Sequence, residues 1–104
     1  MKKVMLLAPE RLCDILRDAL EDNYITLPCS DPSAARDVLA AEPDTLILSL
    51  FLPGTNGLTF LREHAAILPP RIIALTLYYD DDLLAELADL GVSQVARLPC
   101  ILQY

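Results

Sequence analysis

Short apolar runs alternate along this chain with stretches in which apolar residues return at every third or fourth position, and the two periods separate strands from helices. KVMLLA at residues 3–8 predicts a first strand. From Glu10 the period changes: Leu12, Ile15, Leu16, Ala19 and Leu20 fall at helical spacing, with Arg11, Asp14, Arg17 and Asp18 on the other face. NYITLPC at residues 23–29 predicts a second, weaker strand. Asp31 then caps a helix with Pro32 at its first position, where a missing N–H costs nothing, and Ala35, Val38 and Leu39 point inward.

DTLILSL at residues 44–50 is the most apolar run, and its near-continuous hydrophobicity suits a central parallel strand covered on both faces. A helix from about Gly57 follows, burying Leu58, Leu61, Ala65 and Leu68 until Pro69 and Pro70 stop it. RIIALT at 71–76 predicts the fourth strand. Asp80, Asp81 and Asp82 open the next helix, where negative charge favours the positive end of the helix dipole. Leu83, Leu84, Leu87 and Leu90 form its apolar stripe and Gly91 its stop. SQVARL at 93–98 is a short fifth strand. Five strands alternating with four helices imply right-handed crossovers and a doubly wound α/β domain with a parallel sheet. Sites in such sheets form beyond the carboxyl ends of the strands, which is where Ser49 falls.

Composition narrows the class. A chain of 104 residues with 54% apolar and 22% charged residues is expected to be a single domain over residues 1–104 with one core. Its longest apolar run is about half of the roughly 20 residues a membrane span needs, and the amino terminus is too weakly apolar for a secretory signal, so a cytoplasmic protein without a membrane partner is expected. Eight scattered basic residues against fifteen acidic ones, a net charge of −7, argue against direct binding of nucleic acid, which requires clustered Lys and Arg. Cys13, Cys29 and Cys100 are odd in number, without a CxxC spacing, and read as buried reduced thiols.

The segment PDTLILSLFLPGTNGLTFLRE at 43–63, with its Leu-Pro-Gly-x-Asn-Gly loop at 52–57, resembles the centre of the receiver domains of bacterial two-component response regulators, the CheY-like superfamily. IIALT ending in Thr76, and GVSQVARLPC with Gly91 and Pro99, resemble later parts of the same family, in order and at the right spacing. The resemblance implies a flavodoxin-like sheet of order 2-1-3-4-5. It also implies a phosphorelay chemistry: a strand-end Asp accepts a phosphoryl group, an acidic pair after the first strand helps to hold Mg²⁺, and a Lys before a proline pairs with the phosphoryl.

This chain departs from each of those positions. Ser49 stands where the acceptor Asp belongs; Ala8 and Pro9 replace the acidic pair, leaving Glu10 as the nearest carboxylate; and Leu98 takes the place of the lysine before Pro99. The switch hydroxyl is kept as Thr76, while Val95 stands near the usual place of the aromatic switch residue and Tyr78 and Tyr79 are the aromatic substitutes. A degenerate receiver is therefore expected, neither an enzyme nor a metal protein, with no cofactor and little affinity for Mg²⁺. Ser49 then serves as a small polar residue closed in local hydrogen bonds. His64 reads as helix packing and the Asp80 to Asp82 run as a solvated helix start.

Receivers usually close with a fifth helix, and PCILQY at 99–104 is too short to supply it, so that helix is expected to be absent or truncated. The uncovered flank then favours pairing with a second copy, with Leu12, Ile15, Ile101, Leu102 and Tyr104 as interface candidates. The leading functional expectation is a protein-interaction module, a homodimer by preference, in signal transduction or transcription regulation. Three alternatives stand beside it: a weak Mg²⁺ and phosphoryl site formed by Glu10, Asp80 and Thr76 with Ser49 as acceptor, a flavodoxin-type binder of small molecules, and a fragment of a larger DNA-binding response regulator.

Overall fold

The computed structural model describes residues 1–52, 54–77 and 80–97. Expectations placed on Tyr78, Tyr79, Leu98, Pro99, Cys100, Ile101, Leu102 and Tyr104 lie outside the described residues. Five parallel strands, β1 (Lys3–Leu7), β2 (Ile25–Cys29), β3 (Thr45–Ser49), β4 (Arg71–Thr76) and β5 (Gln94–Arg97), form one sheet in the order β2-β1-β3-β4-β5. This is the flavodoxin-like doubly wound arrangement. Among the described residues four α-helices connect the strands: α1 (Glu10–Leu20), α2 (Ala35–Leu39), α3 (Gly57–Glu63) and α4 (Asp81–Asp89).

Alternation along the strands divides the core. Met5, Leu7, Leu46, Leu48, Ile72 and Ala74 point to the face covered by α2, α3 and α4, where Ala35, Leu39, Phe60, Leu61 and Leu87 meet them. Val4, Leu6 and Leu75 point the other way, under Leu12, Cys13 and Leu16 of α1. Helices lie on both faces of the sheet, so the central strands carry apolar residues on both, and β3 reads as a continuous apolar run, with Ile47 only partly buried on the α1 face.

Three elements differ from the periodicity. The second helix opens as a 3₁₀ turn at Pro32–Ala34 and is α-helical only from Ala35, because Asp31 Oδ1 accepts both the N–H of Ser33 (2.9 Å) and its hydroxyl (2.8 Å) and draws the first turn tight. The third helix ends at Glu63, and a 3₁₀ turn, Ala65–Ile67, takes over, leaving Ala65 exposed where burial was expected. Two prolines force that early exit: Leu68, ahead of Pro69, must be extended (ψ 149°), so the chain leaves the helix beforehand. On α1, Ile15 and Ala19 share the helical spacing of the buried residues yet are exposed, since a single helix lying on a sheet buries only the centre of its apolar stripe.

Gly91 ends α4 at φ +90°, a left-handed stop that glycine adopts without a Cβ penalty.

Candidate functional site at the carboxyl edge of the sheet

The crevice is framed by the strand ends. Leu7 pairs with Leu48 and Ser49 with Leu75, so Ala8 follows β1 beside Ser49, and Thr76 is one step further along β4. Ser49 and Thr76 are both buried, at 1% and 2% exposure. They are the buried polar residues among those described.

Ser49 is closed on itself. Its hydroxyl donates to the Phe51 carbonyl at 3.0 Å and accepts the Phe51 N–H at the same distance, so donor and acceptor are both taken by the backbone two residues on. The chain turns tightly here because Leu50 N–H donates to the Leu75 carbonyl (2.9 Å) while Gly57 N–H donates back to the Leu50 carbonyl (3.1 Å). A two-residue antiparallel ladder of Phe51–Leu52 with Thr55–Asn56, unmarked in the hydrophobic pattern, spans the loop, and Gly54 turns it at φ +74°. Asn56 then caps α3, its Oδ1 accepting the Thr59 N–H at 2.9 Å. Gly57 is required by packing: a Cβ there would stand 2.9 Å from Leu50 Cα and 3.0 Å from the Ser49 carbonyl.

The acidic-pair positions carry no charge into the crevice. Ala8 is buried, its N–H donating to the Cys29 carbonyl at 3.3 Å. Pro9 stands at the start of α1 and offers no side-chain cap, and Glu10, the first residue of that helix, is exposed. Asp80 is spent on its own helix, Oδ1 accepting the Leu83 N–H at 2.9 Å, with Asp81 and Asp82 exposed in the first turn. Among the described residues no three His, Cys, Asp or Glu side chains gather as a metal site.

Cys13 and Cys29, sixteen residues apart, meet beside Ala8, an apposition the spacing did not signal. The Cys13 thiol lies 3.2 Å from the Ala8 carbonyl oxygen and 3.8 Å from that of Cys29, while the Cys29 thiol donates to the Asp31 carbonyl at 3.1 Å. Burial pushes both thiols above their ordinary pKa. Asp31 is shifted down by the Ser33 N–H and hydroxyl that it accepts. His64, half-buried at the end of α3, sets Nδ1 2.9 Å from the Phe60 carbonyl and stacks on the Phe60 ring at 4.2 Å. It is occupied with packing. A cleft of about 560 Å³ lies beside it, away from Ser49, lined by Arg36 and Thr55 together with the carboxylates of Asp31 and Glu63. Of the interface candidates, Leu12 is buried between α1 and the sheet, spent on the chain's own core against the expectation, and Ile15 is 43% exposed.

No family model matches the chain, and no curated protein does. Solved structures do. A two-component response regulator from Clostridium difficile superposes with a TM-score of 0.84 at 16% identity, over 95% of this chain and 84% of that one. The non-phosphorylated HemR receiver domain from Leptospira biflexa gives 0.82 at 20% identity, over 95% and 83%. The beryllofluoride-activated receiver domain of Klebsiella pneumoniae RstA gives 0.77 at 22%, over 93% and 85%. The fold is therefore that of response-regulator receiver domains. No described helix is long and apolar enough to cross a membrane.

Proposed function

We propose that this chain is a receiver-fold interaction module for signal transduction that acts through protein contacts and does not accept a phosphoryl group itself. The observation that carries the reading is Ser49, buried at the end of the central strand with both hydrogen-bonding functions of its hydroxyl returned to Phe51. An attacking hydroxyl needs a base to take its proton, and phosphoryl transfer needs cations to offset the charge that builds up. Ala8 and Pro9 supply neither, and Glu10 faces solvent at the start of α1. In place of charge the rim of the crevice carries apolar side chains: Phe51 and Leu77 are each 46% exposed just past the ends of β3 and β4.

The partners under this reading are proteins, a second copy foremost, with no nucleic acid bound by this domain directly and no cofactor. Such a module transmits by which surfaces it offers, in place of a charge-driven change at the strand ends. The reading is tested by incubating the protein with Mg²⁺ and a small phosphodonor, then separately with Mg²⁺ and beryllofluoride. Unchanged intact mass and unchanged amide spectra around Ser49 and Thr76 are expected. A phosphoryl adduct, or beryllofluoride-dependent shifts at those residues, would sink it.

A further inference from the structure

The two faces of the sheet are unequally covered. Three helices lie on one; among the described residues α1 alone lies on the other. On that second face Val4 and Leu6 of β1 are buried, whereas Ile47 of β3, Ile73 of β4 and Ala96 of β5 are only partly so. A groove of about 370 Å³ runs there, floored by Val4, Ile47 and Ile73 and walled by Leu20 and Tyr24.

Of α1 it is Leu20, at the end of the helix, that reaches the groove; helix geometry places the other side chains. Cys13, Asp14 and Arg17 line a hollow with Pro28 and Ser30, so that flank faces the β2 side. At 100° per residue Arg11, Ile15 and Asp18 fall within about 60° of one another on the outer face of α1, turned away from the buried Leu12, Cys13 and Leu16, and all three are exposed. Arg11, Ile15 and Asp18 follow the i, i+4, i+7 spacing of a helix–helix seam. Ile15 stands between a cation and an anion about 10 Å apart along the axis. Among the described residues neither charge has an ion-pair partner within the chain; the pairs formed are Arg17 with Asp14 and Arg62 with Glu86.

We infer that this outer face of α1 is a self-complementary docking surface for a second copy of the chain, with the two α1 helices antiparallel about a two-fold axis close to Ile15. An antiparallel pair sets Arg11 of each copy against Asp18 of the other and brings the two Ile15 side chains together at the centre. A parallel pair would set like charges against each other at both ends. The symmetry of a two-fold contact requires one surface to complement itself, and a stripe reading cation, apolar, anion does so in the antiparallel sense alone. One helix flank buries less than the about 1,200 Å² that marks a standard interface, so the pair forms and dissociates with concentration. This inference supplies the contact face for the second copy that the proposed function names as foremost partner.

The test is light scattering and sedimentation over a concentration series of the whole chain, on wild type, Arg11→Glu, Asp18→Arg and Ile15→Lys. All three positions are exposed, so unchanged circular dichroism and melting are expected. Each substitution is expected to weaken self-association at least tenfold. An equimolar mixture of Arg11→Glu and Asp18→Arg is expected to recover pairing, since opposite charges then meet at both ends of the mixed dimer. A wild-type chain that stays monomeric at every concentration overturns the inference. A dimer that ignores the charge changes, or a mixture that fails to recover, overturns the α1 seam while leaving the phosphoryl-independent reading standing. Phosphoryl uptake would do the reverse.

Discussion

Ser49 donates to and accepts from the same residue, Phe51, so its hydroxyl shapes the loop and is withdrawn from chemistry. Ser49→Ala should leave the Phe51 N–H without its side-chain acceptor and cost about 1–3 kcal/mol in urea denaturation, the usual penalty for an abandoned hydrogen bond in a buried setting. Ser49→Asp should not rebuild an acceptor: the new carboxylate would be buried with no cation described beside it, so the variant should be less stable and still fail to take phosphoryl from a small donor, as read by intact mass. Gly57→Ala tests the same turn from its other side. The added methyl would meet the Leu50 and Ser49 backbone, which cannot swing aside as a flexible side chain can, and a loss of about 1–3 kcal/mol is expected. The sequence places Ser49 at a strand end and marks it as an uncharged substitute. The reciprocal bonds to Phe51 depend on the backbone path of the following loop, which no hydrophobic period encodes.

Caps and breakers decide where each helix runs. Asn56 and Asp80 hold the first turns of α3 and α4 with one side-chain oxygen each, so Asn56→Ala or Asp80→Ala should cost about 1 kcal/mol, seen as a lowered thermal midpoint without loss of fold. Asp80, Gly91 and the proline pair at 69–70 are legible as punctuation because each acts on its own neighbours. The 3₁₀ turns at Pro32–Ala34 and Ala65–Ile67 are less legible: the Asp31 cap sets the first and the prolines after Leu68 the second, each over a few residues, while the period sums over a longer window. The exposed flank of α1 lies between these cases. Period marks Ile15 as apolar and helical, but its exposure follows from which strands α1 covers, a property of the packed sheet.

At the scale of the whole molecule, strand count was recoverable because β/α alternation leaves few topologies open, and strand order came with the receiver resemblance, whereas the meeting of Cys13 with Cys29 was not legible, since it takes both the pairing of β1 with β2 and the packing of α1 over them. Burial raises both thiols above their ordinary value of 9.0, so the folded state holds protons there that the unfolded chain gives up first. Their contribution to stability is thus complete below pH 9 and lost as pH rises through the folded values. The urea midpoint should fall as pH is raised from about 9 to about 10, the unit above the ordinary thiol value, and fall less in a Cys13→Ala, Cys29→Ala double variant. The two outer strands differ as well. β2 bears Pro28, which has no N–H to lend to an incoming chain, while β5, Gln94–Arg97, bears no proline. Among the described residues the sheet is thus blunted by a proline at the β2 border and not at β5, where crowding-driven growth into longer ribbons, during synthesis or storage, would begin.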